Sequence, residues 1–376
     1  MSMVNSRSLI AGFVGASYRR LVRPVLFLQD PEKIHDRTLK FAVFFGKVAP
    51  LRWFTKRTLS YSSPKLEQTI LGINFSNPVG LAAGFDKNAQ LTDIIPALGF
   101  GFIEVGSITA KAGPGNVPPR LVRLKKSKAI LVNYGLNNDG AKAISNRLRG
   151  KRFATPVGTS IAKTNAKETR TDITGVADYV KGFKEFTDIG AYYTINVSCP
   201  NAYGGQPFHD GKRLNKLLKK LDKIESSKPR LIKISPDLSH SEIDDILEVI
   251  KLHKVDGLIC SNLTKKRGNP KISETDVPEW GGISGKVVED LANDLIAYVY
   301  KKTKGNYVII GCGGIFSAED AYKKIRLGAS LVQLITGMIY EGPQLAGQIN
   351  RGLVKLLERD GFSNISEAVG TDIKTK

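Results

Sequence analysis

Tyr193-Thr194-Ile195-Asn196-Val197-Ser198-Cys199-Pro200-Asn201 reads as a buried β-strand that stops at a proline. β-Branched and aromatic residues dominate its first half, and Pro200 has no N–H with which to continue a ladder. Its end carries two amides, Asn196 and Asn201, and one thiol, Cys199, with Gly204 and Gly205 just behind. That set has the outline of a reaction centre: a candidate base between donors able to hold a planar polar ligand.

Working outward, the same kind of apolar run recurs at 78–83, 102–108, 156–161, 192–197, 231–234, 257–260, 307–310 and 331–335. Amphipathic stretches of helix length, such as 241–253 and 317–327, separate the runs. Alternation of this kind over about 280 residues predicts a (β/α)8 TIM barrel. An open doubly wound sheet is the alternative, but no G-x-G-x-x-G follows the first run. Two extra hairpins are expected, 66–75 capping the barrel bottom and 121–132 near its top.

Barrel chemistry collects at the C-terminal ends of the strands. Read in order, those ends supply Ala83-Gly84 with Lys87, Ser107, Ser160 with Lys163, Asn196 with Cys199 and Asn201, Lys233, Ser261-Asn262, Gly313-Gly314 and Thr336-Gly337. The last two pairs stand where a barrel commonly cradles a phosphate on backbone N–H groups. With Lys233 and Lys163 also at the mouth, they suggest a phosphorylated cofactor.

The formal charge of +21 on 376 residues is the compositional outlier, while the 41% hydrophobic content is ordinary. Such a balance points to an anionic partner: a membrane surface, nucleic acid or a phosphorylated ligand. No nucleic-acid-binding motif is recognisable. No acidic residue precedes Asp30, and Arg7, Arg19, Arg20 and Arg23 lie among apolar residues there. No run approaches the roughly 20 apolar residues of a spanning helix. The segment reads as basic amphipathic helices that lie on a bilayer, although a serine- and arginine-rich start also resembles an organelle transit peptide. Residues 1–60 are expected to form this helical membrane-association segment and 61–376 the barrel. Cys199, Cys260 and Cys312 are too few and too scattered for a disulfide framework, and with no histidine at ligand spacing no metal site is expected.

Six blocks together resemble dihydroorotate dehydrogenase. They are Leu81-Ala82-Ala83-Gly84-Phe85-Asp86-Lys87, Gly113-Pro114-Gly115-Asn116 with Pro119-Arg120, Asn196 to Asn201, Ile232-Lys233-Ile234-Ser235-Pro236-Asp237, Gly281-Gly282-Ile283-Ser284-Gly285 and Gly311-Cys312-Gly313-Gly314. The stretch from Leu26 to His35 is similar to the membrane-associated, quinone-reducing class 2 enzymes. The resemblance implies FMN-dependent oxidation of dihydroorotate to orotate in pyrimidine synthesis. It implies attachment at the cytoplasmic face of a bacterial inner membrane, or at the mitochondrial inner membrane.

By the same resemblance Cys199 is the base and Lys87 pairs with the orotate carboxylate. Asn196, Asn201 and Asn262 bond the pyrimidine ring, and Lys233 lies near flavin N1. Ala83, Gly84, Ser107, Ser160, Ser261, Gly285, Gly314, Thr336 and Gly337 line FMN; His35 and Arg123 line a quinone tunnel. An asparagine of the family pattern is Val132 here, so Asn133 or Asn137 takes its contact. Class 2 enzymes carry serine where Cys199 stands and tyrosine where Ile335 stands; Cys199 and Gly204-Gly205-Gln206-Pro207 look more like class 1. A soluble acceptor such as fumarate or NAD is therefore the alternative to quinone. A thiol, with an ordinary pKa of about 8.5, also needs less help than a hydroxyl to act as base near neutral pH.

Overall fold

The computed structural model describes residues 3–205 and 207–373, so Gln206 lies outside the described residues. In chain order the strands are β1 (Gln68–Ile70), β2 (Ile73–Phe75), β3 (Val79–Leu81), β4 (Phe102–Ile108), β5 (Leu121–Leu124), β6 (Ala129–Val132) and β7 (Val157–Ile161). They continue as β8 (Tyr192–Asn196), β9 (Arg230–Ile234), β10 (Gly257–Cys260), β11 (Gly282–Gly285), β12 (Val308–Cys312) and β13 (Leu331–Leu334). β3, β4, β7, β8, β9, β10, β12 and β13 pair in parallel, each with the next, and β13 closes on β3. The chain is thus a TIM barrel, and each of the apolar runs read from the sequence supplies one of its staves. Apolar residues on both faces of these strands suit a sheet covered inside and out.

Inside the barrel the side chains stack in layers. Phe75, Phe102, Tyr192, Leu231, Ile259, Ile310 and Leu331 fill the N-terminal end. Phe75 comes from the β1–β2 hairpin and meets Phe102 edge-on at 5.3 Å, which plugs the bottom as the sequence predicted. Size alternates to make room: a Cβ on Gly158 would lie 2.1 Å from the Tyr192 ring. Above this layer the buried Glu104 accepts from Thr194 Oγ1 (2.9 Å), Gln333 Nε2 (3.1 Å) and the Tyr192 hydroxyl (3.3 Å). The interior thus changes from apolar to polar towards the C-terminal mouth. The larger hydrophobic core lies outside, between the barrel and its helices.

Four helices precede the barrel: α1 (Met3–Ser17), α2 (Arg23–Leu26), α3 (Pro31–Lys47) and α4 (Ala49–Leu59), with a π-helical turn, Tyr18–Val22, between the first two. Asp30 caps α3 by accepting from the Lys33 N–H at 2.8 Å, and Pro31 fits the first turn. Leu39, Ala42, Val43 and Phe45 pack inward against the core. Phe13 (73% exposed), Leu21, Leu28 (85%), Phe41, Phe44, Trp53 and Phe54 face outward. Among the described residues no helix is long and apolar enough to cross a membrane.

The hairpin at 121–132 forms, but as part of a three-stranded antiparallel sheet, because β11 pairs along β6 from Gly282 opposite Val132 to Gly285 opposite Ala129. A strand bounded by glycines has little β-propensity of its own, so its pairing had no sequence signal. Phe27, Leu121, Ile130, Val132, Phe316, Ile339 and Tyr340 form one apolar cluster at this sheet.

Candidate active site

A continuous cavity opens at the C-terminal ends of the barrel strands. Lys87, Asn137, Asn196, Cys199, Asn201, Lys233 and Asn262 line it, as do Ala83, Gly84, Ser107, Ser261, Gly285, Gly314, Thr336 and Gly337. Its lining also includes His35 of α3, Leu121, Ile130 and Val132 of the β5–β6 hairpin, and the apolar Phe85, Ile335 and Ile339.

Amides and hydroxyls form a connected floor. Asn196 Nδ2 donates to Ser107 Oγ at 2.8 Å, and Ser107 Oγ lies 2.8 Å from Ser160 Oγ. Asn262 Nδ2 donates to Ser198 Oγ (2.9 Å), to the Ser198 carbonyl (3.0 Å) and to Asn196 Oδ1 (3.3 Å). On the wall, Asn201 Nδ2 donates to the Val132 carbonyl at 2.8 Å, while its Oδ1 is buried without a partner among the described residues. A buried acceptor left this way costs on the order of 1–3 kcal/mol unless a ligand donor meets it.

Two cations face the cavity. Lys233, in the barrel interior on β9, is 5% exposed and forms no ion pair among the described residues. Lys87 places Nζ 3.5 Å from the centroid of the Tyr134 ring. Burial lowers the Lys87 pKa to about 8, against the opposing pull of Asp36 and Glu32. Burial and the Lys87 charge take His35 down to about 3, so its ring is neutral in the physiological range. Cations in a partly desolvated cleft favour an anionic ligand there.

Cys199 is partly exposed to the cavity. Burial raises its thiol pKa, and the N–H groups of Asn201 and Ala202 with the charges of Lys265 and Lys163 only partly offset that. The advantage expected of a thiol over a hydroxyl is therefore reduced by its surroundings.

Some sequence candidates lie elsewhere. Asn133 Oδ1 accepts from Asn116 Nδ2 at 2.8 Å, and Asn133 does not line the cavity, whereas Asn137 does. Ser160 reaches the floor only through Ser107. Arg123 stacks over Phe27 at 4.6 Å and donates to the Gln29 carbonyl at 2.7 Å, bracing the link between α2 and α3. Lys163, read with the phosphate-binding mouth, lines a separate small cavity behind Cys199. The sequence reading assigned no role to Tyr134, or to Ser284, whose Oγ lies 2.8 Å from Thr336 Oγ1. Only the glycine-rich block around Ser284 hinted at it.

A family model described as dihydroorotate dehydrogenase matches residues 65–357. A dihydroorotate dehydrogenase (quinone) of Natronomonas pharaonis is 42% identical over 94% of this chain and 99% of its own. That of Gloeobacter violaceus is 39% identical over 93% and 98%. A mitochondrial dihydroorotate dehydrogenase (quinone) of Arabidopsis thaliana is 39% identical over 94% and 81%. The crystal structure of the Eimeria tenella enzyme in complex with ferulenol superposes with a TM-score of 0.82 at 32% identity, covering 91% of this chain and 96% of its own. The chain belongs to the dihydroorotate dehydrogenase family.

Proposed function

We propose that this chain oxidises dihydroorotate to orotate in pyrimidine biosynthesis, with FMN as its prosthetic group and a membrane quinone as electron acceptor. The observation that carries the reading is a single cavity lined both by polar groups, Cys199, Lys87 and the asparagines, and by apolar residues of the β5–β6 hairpin beside His35 of α3. The first set suits a planar anionic substrate and the second an isoprenoid-like ligand.

The residues fit FMN. Gly84 adopts φ +112°, and a Cβ there would meet nothing nearer than Ile335 Cδ1 at 3.6 Å, so glycine leaves room at the cavity wall. Lys233 supplies a cation without a counter-ion among the described residues, and Gly314, Thr336 and Gly337 line the cavity as well. Bound FMN would supply the acceptor for the hydride that leaves C6 of dihydroorotate.

The chain's own groups do the rest. Lys87 holds the substrate carboxylate. Asn196, Asn201 and Asn262 orient the ring, with Asn137 standing in for the asparagine lost at Val132. Cys199, as thiolate, removes the C5 proton and becomes a thiol. Loss of that proton and of the C6 hydride leaves the ring double bond of orotate. Lys233 would hold FMN and supply a positive charge beside it.

The outward apolar residues of α1 to α4, with Arg19, Arg20 and Lys56 among them, attach the chain peripherally to an anionic bilayer. We place residues 1–60 as this segment and 61–376 as the catalytic barrel. The cytoplasmic face of a bacterial inner membrane is our assignment, with the mitochondrial inner membrane as the alternative. Quinone enters along the apolar lining beside His35, with Arg123 bracing the link between α2 and α3.

Anaerobic reduction of the purified yellow protein by dihydroorotate, followed by reoxidation with short-chain quinone, fumarate or NAD in parallel, tests the reading. Fast reoxidation by quinone alone is expected. Preference for fumarate would transfer the function to the soluble-acceptor class that Cys199 and Ile335 resemble. No reduction by dihydroorotate in FMN-loaded protein would end the proposal.

A further inference from the structure

A second cavity lies behind Cys199, lined by Lys163, Tyr179, Asn196, Ala202 and Phe208 as well as by the cysteine itself. It offers about 10 Å³, room for one water. Lys163 follows β7 and is 4% exposed. Its Nζ donates to the Tyr203 carbonyl at 3.0 Å and to Thr169 Oγ1 at 3.2 Å. The Tyr203 N–H in turn donates to Asn165 Oδ1 at 2.5 Å. Both backbone groups of Tyr203 are therefore held by the segment after β7, four residues beyond Cys199. No ion pair satisfies the Lys163 ammonium among the described residues; Asp178 accepts instead from the Thr164 N–H at 2.7 Å and the Thr164 hydroxyl at 2.8 Å.

We propose that Lys163 is a positioning residue for the deprotonation step. Its ammonium clamps the loop carrying Cys199 and, across the small cavity, stabilises that cysteine as thiolate. Other groups facing Cys199 are the Tyr179 hydroxyl, which donates to the Asn196 carbonyl at 2.8 Å, the Lys265 ammonium, and the N–H groups of Asn201 and Ala202. Tyr179 stays neutral because burial raises its pKa, and the Lys265 backbone N–H is held by Asp237 at 2.6 Å. Lys265 and Lys163 both favour the thiolate, and of the two only Lys163 shares the small cavity with Cys199. The coupling is mutual: burial lowers the Lys163 pKa, and Asp178 and then Cys199 pull it back up.

The inference rests on Cys199 as the base of the proposed reaction, and the test separates the two. Iodoacetamide alkylation of Cys199 is followed against pH by peptide mass spectrometry in the FMN-loaded enzyme, so that the buried Cys260 and the partly exposed Cys312 are read separately on their own peptides. Lys163→Met is expected to move the alkylation midpoint upward, lowering the rate near pH 7.5 about fivefold relative to its own alkaline plateau. The plateau itself should rise as the Tyr203 clamp loosens. Lys163→Arg should restore the midpoint, which a purely structural role would not require. Lys163→Gln, which keeps a donor for Tyr203, replaces the methionine variant if that does not fold. An unmoved midpoint in the folded charge-free variant overturns the proposal. Normal turnover in Cys199→Ala would instead overturn the choice of base, whatever the alkylation profile shows.

Discussion

Lys87 offers the sharpest quantitative test of the substrate pocket. It is a half-buried cation whose nearest partner is an aromatic ring rather than a carboxylate, and burial takes it down to about 8. In the proposed reaction the charged form is the one that would hold the substrate carboxylate. Affinity should therefore be flat below pH 8 and fall about tenfold per unit above it, reaching roughly an order of magnitude by pH 9. A lysine at its ordinary value near 10.4 would show almost none of this loss over the same range. Lys87→Met removes a charge-assisted hydrogen bond worth about 1.5–3 kcal/mol, or roughly 10- to 150-fold in Kd.

Isothermal titration calorimetry with orotate between pH 6 and 9 measures both effects. The methionine variant carries any titration of the ligand itself, so the difference between the two profiles isolates Lys87. Repeating the wild-type series in Cys199→Ala removes the thiol that titrates in the same cavity. A wild-type affinity constant to pH 9, or a methionine variant binding within threefold of wild type, would refute the assignment.

Cys199→Ala should abolish dihydroorotate oxidation yet retain the FMN absorbance, and Cys199→Ser should keep partial activity with its pH optimum displaced upward; stopped-flow reduction across pH reads both. Phe13→Asp with Leu21→Asp and Leu28→Asp changes only outward-facing residues of the helical segment. Its Tm should stay close to wild type, while cosedimentation with anionic vesicles should be lost. Gly158→Ala should destabilise the barrel by about 1–3 kcal/mol through overpacking against Tyr192, read as a lower denaturation midpoint.

The fold was legible because parallel barrel strands are buried on both faces and so stand out as apolar runs between amphipathic stretches. Even the plug was visible, since Leu66–Phe75 has the length of a hairpin and ends on the ring that fills the barrel bottom. What stayed hidden depended on long-range partners. β11 is a strand only because β6 lies beside it. Asn133 and Asn137 are equivalent as letters; only the fold sends the first to Asn116 and the second to the cavity wall. Lys163 and Lys233 likewise sit at similar strand ends, yet one faces the main cavity and the other the space behind Cys199.

That last difference bears on how a cysteine at this place could serve as the base in the proposed reaction. Burial alone raises the Cys199 thiol, which would make a poor base near neutral pH. On the proposal above, Lys163 in the second cavity would lower that cost without competing with Lys87 for the substrate carboxylate. Such an arrangement predicts that Cys199→Ser and Lys163→Met are not additive. The hydroxyl has little anion for Lys163 to stabilise, so removing the lysine should cost the serine enzyme much less than the threefold to tenfold it costs the cysteine enzyme near neutral pH. Equal losses in the two backgrounds, measured as rates of anaerobic reduction, would mean that Lys163 acts on the loop alone.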